Sequence, residues 1–328
     1  MSATVDAFTK GESDALDQSE IRRRFEAALA EDDKSVASAA SEAGIGGSTL
    51  AAWKAHKYNG DNEKVAGQVS AWLTMREARK QHRATMPKAP DFQMTETARR
   101  IWNVLEHAQA APDIAVISGG AGVGKTSAAQ EYARRAANVW IATMEPWHNS
   151  PAALMQAVLN GMGQTATGRA SLDSQAIRHR MKNSNGLLII DETQHLPTHL
   201  LDQVRSWHDI LNIGVAFMGN VHMNATLGIA GRRDNFAQLF SRIGVRQHIR
   251  RPLKADIEAL MTAWGLEDSV LRREVLTIGQ QPGGARGMTK MLRLASSLAG
   301  SEGRERVSLA DVRVAWGQMT AQPDGGVS

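Results

Sequence analysis

The chain has 328 residues, which is enough for two or three domains with a sizeable core. It contains no cysteine, which excludes disulfides and thiolate metal sites. Its formal net charge of +4 is compatible with a polyanionic partner but is too small to establish one. The N-terminus is polar and acidic, unlike a signal peptide, and no apolar run approaches the length of a membrane span. We therefore expect a cytoplasmic protein with no membrane partner.

The first part of the chain is predicted to be a disordered segment followed by an all-α domain. Residues 1–19 are polar and Asp-rich, which predicts a disordered lead-in. From residue 20 to 75, Ala-rich helical segments are separated by glycines. Six residues in this region have the spacing of a helix-turn-helix. They are Val36, Ala40, Gly44, Ile45, Leu50 and Trp53. Gly44 is expected to form the turn, and Ile45, Leu50 and Trp53 to pack inside.

The second helix of this motif is predicted to begin with Ser48 as its N-cap. It would expose Thr49, Lys54 and Lys57, which suit the major groove and its phosphates. A helical hairpin without a DNA role explains the pattern equally well. Residues 76–90 are rich in arginine and lysine and contain two prolines near their end, which predicts a basic linker over residues 76–94 that begins as a helix end. Its charges are either solvated or in contact with phosphates.

A glycine-rich turn follows an apolar, β-branched strand near the middle of the chain. Gly119, Gly124, Lys125 and Thr126 match the P-loop spacing G-x-x-x-x-G-K-[ST]. Glycines let successive backbone N–H groups point at phosphate oxygens, and the following helix adds partial positive charge. Lys125 is expected to reach the β- and γ-phosphates, and the Thr126 hydroxyl to ligate Mg²⁺. The predicted nucleotide-binding residues are Gly119, Gly120, Ala121, Gly122, Val123, Gly124, Lys125, Thr126, Ser127 and Asp191.

The alternation of strands and helices over residues 95–252 predicts an α/β core with a parallel sheet. Strands are predicted at residues 139–143, 187–192, 215–220 and 246–250, in addition to the strand before the P-loop. After residue 252 only helical patterns follow, at residues 254–264, 267–278, 286–299 and 308–319. The sequence therefore predicts a helical lid subdomain over residues 253–320, with a tail at residues 321–328.

Polar residues follow two of the predicted strands. Asp191 and Glu192 come after four apolar residues, as in a Walker B strand, and Asn220 ends the next strand. The carboxyl ends of parallel strands meet beside the P-loop. Asp191 is expected to hold Mg²⁺, and Glu192 to activate the attacking water as general base. Asn220 would contact the same water or the γ-phosphate. A helix N-cap at residues 191–192 and a turn at Asn220 are the structural alternatives.

Hydrolysis of a nucleotide also needs positive charge on the transferring phosphoryl group. Arg242 is the candidate for an arginine finger supplied to a neighbouring subunit, with Arg232 and Arg233 as rivals. Arg286 opens a predicted lid helix and could reach the nucleotide of its own subunit. For an isolated arginine, a surface ion pair is the more common role.

Together these motifs resemble an AAA+ ATPase, and four strings resemble the phage Mu B transposition protein family. The strings are residues 57–65, 215–220, 239–243 and 254–256, within a similarity that spans about residues 21–316. The resemblance implies an ATP-dependent, sequence-non-specific DNA-binding ATPase. Such proteins form helical filaments on duplex DNA, select it as a transposition target for DNA integration and activate a partner transposase.

The resemblance also implies where ATP and DNA are bound. ATP and Mg²⁺ would lie between subunits, and slow hydrolysis, stimulated by DNA and the partner, would release subunits. The protein would act in the host cytoplasm, associated with the nucleoid. DNA would run inside the filament, where Thr167, Arg169 and Arg205 are candidate contacts.

Two other functions are compatible with these motifs. One is a helicase loader of the related AAA+ clade, and the other is a transcriptional regulator whose P-loop domain gates its oligomerisation. The string at residues 57–65 and the helix-turn-helix favour transposition over the loader. A kinase or metabolic NTPase fits poorly, because no small-molecule acceptor site is evident beyond the P-loop domain.

Overall fold

The computed structural model describes residues 17–85, 89–223, 242–281 and 283–320. The chain divides into two compact units, one ending at Met86 and the other beginning at Pro87. Most of the predicted lead-in, the tail at residues 321–328, and the rival arginines Arg232 and Arg233 lie outside the described residues. Among the helices that the structure describes, none combines the length and the apolar character needed to cross a membrane.

The described part of the first unit is made of helices around one apolar core. These helices are α1 (Gln18–Glu31), α2 (Val36–Ala43), α3 (Gly47–Lys54) and α4 (Asn62–Thr85). Gly44 ends α2 in the left-handed conformation (φ 66°), which glycine adopts without a steric penalty. Ile45, Leu50 and Trp53 are buried beyond this turn. The predicted turn and its inward-facing residues are confirmed.

One detail of the prediction for this unit is wrong. Gly46, not Ser48, is the N-cap of α3, and Ser48 lies within the first turn of the helix. The backbone sets this start, because the first hydrogen bond of the helix runs from Leu50 N to Gly46 O (3.0 Å) and no side chain caps it. The predicted basic helix end from residue 76 continues as far as Thr85. Arg76 in this stretch contacts Glu31 and Asp32 of α1, each at 2.8 Å, which ties it to the bundle.

The second unit is built on a parallel sheet. Its strands are β1 (Ile114–Gly119), β2 (Val139–Thr143), β3 (Leu187–Asp191), β4 (Gly214–Gly219) and β5 (Ile243–Ile249). They are arranged in the order β2-β3-β4-β1-β5, and every pairing is parallel. Every residue of β1, β3 and β4 is buried, as in a sheet covered on both faces. The last strand begins at Ile243 and not at the predicted residue 246. It lies at the edge of the sheet and its residues alternate in exposure, so its sequence lacks the continuous apolar run of a buried strand.

Helices cover both faces of this sheet. They are α5 (Glu96–Ala110), α6 (Lys125–Arg135), α7 (Pro151–Gly161), α8 (Ala170–Met181) and α9 (Thr198–Leu211). α5 and α6 pack with Ile117, Ile189 and Met218 on one face, whereas α7, α8 and α9 pack with Val116 and Ile190 on the other. Alternate strand residues therefore belong to opposite cores, as the pleat requires. This is the α/β fold that the sequence predicts.

The helices after β5 form a layer with its own core. They are α10 (Lys254–Ala263), α11 (Ser269–Gly279), α12 (Gly284–Ser301) and α13 (Leu309–Thr320). α12 begins at Gly284, so Arg286 lies in its first turn and does not open it. The buried carboxylate of Asp256, on α10, accepts hydrogen bonds from the backbone N–H of Thr97 (2.9 Å) and from the Thr97 hydroxyl. The start of the lid is thus tied to the start of α5.

Candidate nucleotide site

A cavity of about 480 Å³ lies at the carboxyl edge of the sheet. Its walls come from the segment before α5, the P-loop, the ends of β3 and β4, and the lid. Among the predicted site residues, those that line it are Ala121, Gly122, Val123, Gly124, Lys125, Thr126, Ser127, Glu192, Asn220 and Arg286. Lys290 and Arg293, which sequence reasoning missed, add two further cations one and two turns along α12 from Arg286. The cavity is therefore suited to a polyanion.

Several glycines of the P-loop could not be replaced by a larger residue without strain or a steric clash. Gly122 and Gly124 have positive φ angles of 76° and 94°, where a side chain would be strained. A Cβ on Gly122 would lie 1.8 Å from the carbonyl oxygen of Gly283, at the start of the lid helix. A Cβ on Gly120 would lie 2.6 Å from the carbonyl oxygen of Arg250. The loop is consequently packed against the backbone on two sides.

The P-loop also presents a set of backbone donors. Among the hydrogen bonds between described residues, none uses the backbone N–H groups of residues 121–124 as donors. The first backbone bond of α6 runs from Ala128 N to Gly124 O (2.9 Å), so the preceding N–H groups of the helix have no intrahelical partner. Phosphate oxygens are the acceptors that such a ring of donors at a helix N-terminus binds well. The loop fits a nucleotide phosphate.

Lys125 lies at the centre of this loop. Its ammonium group donates hydrogen bonds to the carbonyl oxygens of Gly119 (3.0 Å) and Gly120 (2.9 Å). Burial lowers the pKa of Lys125, while the nearby carboxylates of Asp191 and Glu192 act in the opposite direction. Arg286 is close enough for its charge to lower this pKa as well. Lys125 and Arg286 thus place two positive charges close together in one cavity, an arrangement that a bound polyanion would stabilise.

The structure brings the two predicted metal ligands together. The Thr126 hydroxyl donates to a carboxylate oxygen of Asp191 at 2.8 Å, although 65 residues separate them in the chain. Asp191 is buried, and burial raises its pKa. A carboxylate and a hydroxyl are the oxygen donors that Mg²⁺ uses beside a nucleotide, and a cation there would keep the carboxylate ionised. The two side chains therefore fit a Mg²⁺ site.

Glu192 and Asn220 line the cavity beside this pair. Glu192 has a left-handed backbone (φ 54°), which is uncommon for a residue other than glycine and is concentrated at functional sites. The side-chain oxygen of Asn220 accepts from the backbone N–H of His222 at 2.8 Å. Its NH₂ group is consequently the part that can donate to a phosphate or a water.

The two candidate arginines are placed differently. Arg286 lines the cavity of its own chain, and its Cβ is 3.2 Å from the position of a Cβ on Gly122. Arg242 does not line this cavity; its guanidinium Nε lies 2.7 Å from a carboxylate oxygen of Asp209, on α9. Within one chain, therefore, the structure brings Arg286 to the site and leaves Arg242 apart from it.

Comparison with known proteins identifies the family. The family model for the Mu B transposition protein, C terminal, matches residues 241–319, and a model for an AAA domain matches residues 108–227. The chain is 33% identical over 311 residues to the ATP-dependent target DNA activator B of Escherichia phage Mu, covering 93% of this chain and 97% of that protein. The chain belongs to the Mu B transposition protein family.

Other members and the fold agree with this assignment. The chain is 33% identical over 255 residues to the Mu-like prophage FluMu DNA transposition protein B of Haemophilus influenzae, covering 76% of this chain and 88% of that protein. The Aeropyrum pernix ORC2 protein in its ADPNP-ADP complexes has a similar fold, with a TM-score of 0.56 and 17% identity over 73% of this chain and 72% of that chain. The fold is thus that of an AAA+ ATPase, as predicted.

The DNA-contact residues predicted for this Mu B family chain lie in several places. In the loop before α8, Thr167 donates to Asp173 from its backbone N–H (2.8 Å) and its hydroxyl (2.7 Å), so its polar groups are used within the chain. Arg169 in the same loop is exposed, and Arg205 on α9 lies 3.3 Å from Asp202. The predicted contacts Thr49, Lys54 and Lys57 belong to the first unit.

The three predicted DNA contacts of the first unit differ in exposure and pairing. Lys54 lies 3.6 Å from the carboxylate of Glu26, Thr49 is half-buried, and Lys57 is exposed. A DNA contact at this helix is still a prediction.

Proposed function

We propose that this chain is an ATP-dependent activator of DNA transposition that binds duplex target DNA and a partner transposase. The observation that supports this function most directly is the meeting of Lys125, Thr126 and Glu192 at one cavity, with Asp191 hydrogen-bonded to Thr126. The relatives that match nearly the whole chain are named as ATP-dependent target DNA activators.

The proposed reaction is hydrolysis of ATP. Mg²⁺, when bound, supplies charge that neutralises the β- and γ-phosphates. Thr126 and Asp191 would hold this ion, and Lys125 turns from its carbonyl partners to the phosphates. Glu192 takes a proton from the attacking water, whose oxygen bonds to the γ-phosphorus while the bond to the β-phosphate oxygen breaks and ADP leaves. Asn220 and Arg286 contact the γ-phosphate. The P-loop N–H groups hold the phosphates in place.

Assembly is the second part of the proposal. Arg242 reaches the nucleotide of a neighbouring subunit, exchanging its contact with Asp209 for the phosphoryl group. Its side chain is 36% exposed, so the exchange needs no unfolding of the core. ATP then stabilises the interface between subunits of a helical filament, and hydrolysis loosens it. Hydrolysis is slow and is stimulated by DNA and by the transposase.

The DNA contacts are proposed to be to phosphates. Arg169 and Arg205 are the candidate cations of the second unit, with Thr167 beside them, and Thr49, Lys54 and Lys57 are those of the first. Phosphate contacts carry no sequence information, so binding is non-specific and its affinity falls steeply with salt. The protein would act on the DNA of its host, in the cytoplasm.

Electron microscopy with random-sequence duplex DNA tests this function. Samples with ATP, with ADP and without nucleotide are compared, and continuous helical coating of the DNA is expected with ATP only. The physical reason is that the γ-phosphate completes the interface between Lys125 of one subunit and Arg242 of the next. Discrete closed rings would favour a helicase loader. Binding at one sequence regardless of nucleotide would favour a transcriptional regulator.

Mixing two inactive variants tests the action of Arg242 in trans. Arg242→Ala and Glu192→Gln are each expected to hydrolyse ATP poorly. A mixture should regain part of the activity, because an intact site on the first variant receives Arg242 from the second. The measurement is steady-state phosphate release in the presence of DNA.

A matched mixture provides the control for this experiment. Arg286→Ala mixed with Glu192→Gln should not regain activity, since Arg286 lines the cavity of its own chain. If the Arg242→Ala mixture also stays inactive while the filaments form, Arg242 does not act in trans.

A further inference from the structure

The side chain of Gln194 lies between Glu192 and Asn220 and contacts both. Its amide nitrogen donates to a carboxylate oxygen of Glu192, and its amide oxygen accepts from the backbone N–H of Asn220 at 3.2 Å. A carboxylate only accepts and a backbone N–H only donates, so a single orientation of the amide satisfies both partners. The chemistry of the two neighbours therefore fixes how Gln194 is placed.

The backbone around Gln194 is held as firmly as its side chain. Gln194 is the middle residue of a single 3₁₀ turn, Thr193–His195, directly after the left-handed Glu192. Thr193 is fully buried, and its hydroxyl donates to the carbonyl oxygen of Ile190 at 2.8 Å. The backbone N–H of His195 donates to the carbonyl oxygen of Glu192 at 2.9 Å. This turn leaves Gln194 little freedom to move away.

The end of β4 is shaped to receive this side chain. A Cβ on Gly219 would lie 2.4 Å from the amide oxygen of Gln194 and 3.3 Å from the backbone nitrogen of Thr193. Glycine at position 219 thus leaves the space that the Gln194 amide occupies. The ends of β3 and β4 are joined through one side chain at the point where both reach the cavity.

We propose that Gln194 is a positioning residue for ATP hydrolysis. It fixes the carboxylate of Glu192 relative to the end of β4, which carries Asn220. Glutamate has several rotatable bonds, and a misplacement of about 1 Å can reduce a reaction rate by a factor of about 10². The amide bridge keeps the base aligned with the residue that contacts the γ-phosphate. This inference rests on the proposed function, because it requires Glu192 to act as the base.

Replacing Gln194 with alanine in the full chain tests the proposal. With DNA and saturating ATP, we expect kcat to fall by about ten-fold, a part of the roughly 10²- to 10⁴-fold that a positioned general base contributes. KM and ATP affinity should stay within about two-fold, since Gln194 acts on the base and not on nucleotide binding. The control is Gln175→Ala, which removes an exposed glutamine of α8 and should leave both parameters unchanged.

Gln194→Met separates positioning from folding. Its side chain has about the same length and adds no charge beside Glu192, but it loses the NH₂ group that donates to Glu192 and the oxygen that accepts from the Asn220 N–H. We expect a melting temperature like that of the wild type together with the reduced kcat. Wild-type turnover in both Gln194 variants would overturn the proposal. Faster turnover would overturn it too, because it would show that Gln194 holds Glu192 in an inactive position. A loss of ATP binding would show a merely structural role.

A double-mutant comparison shows whether Gln194 acts through Glu192. In the Glu192→Gln background, adding Gln194→Ala should change the residual rate by less than about two-fold, because the group that Gln194 positions is already inactive. If Gln194→Ala lowers the rate in this background by the same factor as in the wild type, the proposal is contradicted. If Glu192→Gln alone hydrolyses ATP normally, the proposed base has failed. A defect in Glu192→Gln without one in Gln194→Ala overturns only the role of Gln194.

Discussion

Lys125→Ala is expected to abolish ATP binding and, with it, ATP-dependent binding to DNA. The ammonium group lies within the P-loop, held by two carbonyl oxygens of its own loop. Removing it leaves the β- and γ-phosphates without the closest cation in a partly desolvated site. We expect ATP affinity to fall by at least about a hundred-fold, or about 3 kcal/mol, as when one member of a buried charge pair is lost.

Two measurements check this result. A fluorescent ATP analogue reports nucleotide affinity, and the anisotropy of labelled duplex DNA reports DNA binding with and without ATP. The matched control is Lys182→Ala, because Lys182 is an exposed lysine that follows α8. It should bind both ligands as the wild type does. Undiminished ATP-dependent filament formation by Lys125→Ala would refute the link between the P-loop and assembly.

Much of the second unit could be predicted because its local signals and its tertiary structure agree. Residues 187–190 are an uninterrupted apolar run, and the structure buries all of the strand that they form with Asp191. The meeting of Thr126 with Asp191 follows from a topological rule, that ligands bind where parallel strands end. No side-chain geometry had to be known for this prediction.

The bridge through Gln194 could not be predicted, because it depends on neighbours that are distant in the chain. Gln194 follows the Walker B acids closely, but its second partner, Asn220, is 26 residues away. Nothing in the spacing shows that Gly219 leaves room for its amide. The same reason applies to Arg76, whose partners Glu31 and Asp32, at the end of α1, are 45 and 44 positions earlier in the chain.

The predicted DNA loop shows a different limit of sequence reasoning. The family resemblance makes Thr167 a candidate DNA contact, but the carboxylate of Asp173 accepts from its hydroxyl and from two backbone N–H groups of the loop. These hydrogen bonds lower the pKa of Asp173. A threonine in an exposed loop can therefore have a hydroxyl that is already used within the chain and is not available to DNA. Arg169 is the residue of this loop whose exposure suits a phosphate contact.

Glu192→Gln is expected to keep ATP binding while hydrolysis slows by about 10²- to 10⁴-fold, the usual contribution of a general base. Glutamine has nearly the same shape and retains an oxygen that can accept from Gln194, but it cannot take a proton from water. Because ATP stabilises the proposed interface, a site that cannot hydrolyse ATP should hold subunits on DNA. The expected result is a slower release of protein from DNA in ATP, with an unchanged rate in ADP.

Single-turnover hydrolysis and dissociation from immobilised duplex DNA measure the two effects separately. Glu267→Gln is the control, because Glu267 is a lid glutamate whose side chain is 79% exposed. Slow hydrolysis with normal release would mean that nucleotide state does not control the interface. Normal hydrolysis would instead remove Glu192 from the role of base, since its position beside the Thr126–Asp191 pair would then have no catalytic consequence.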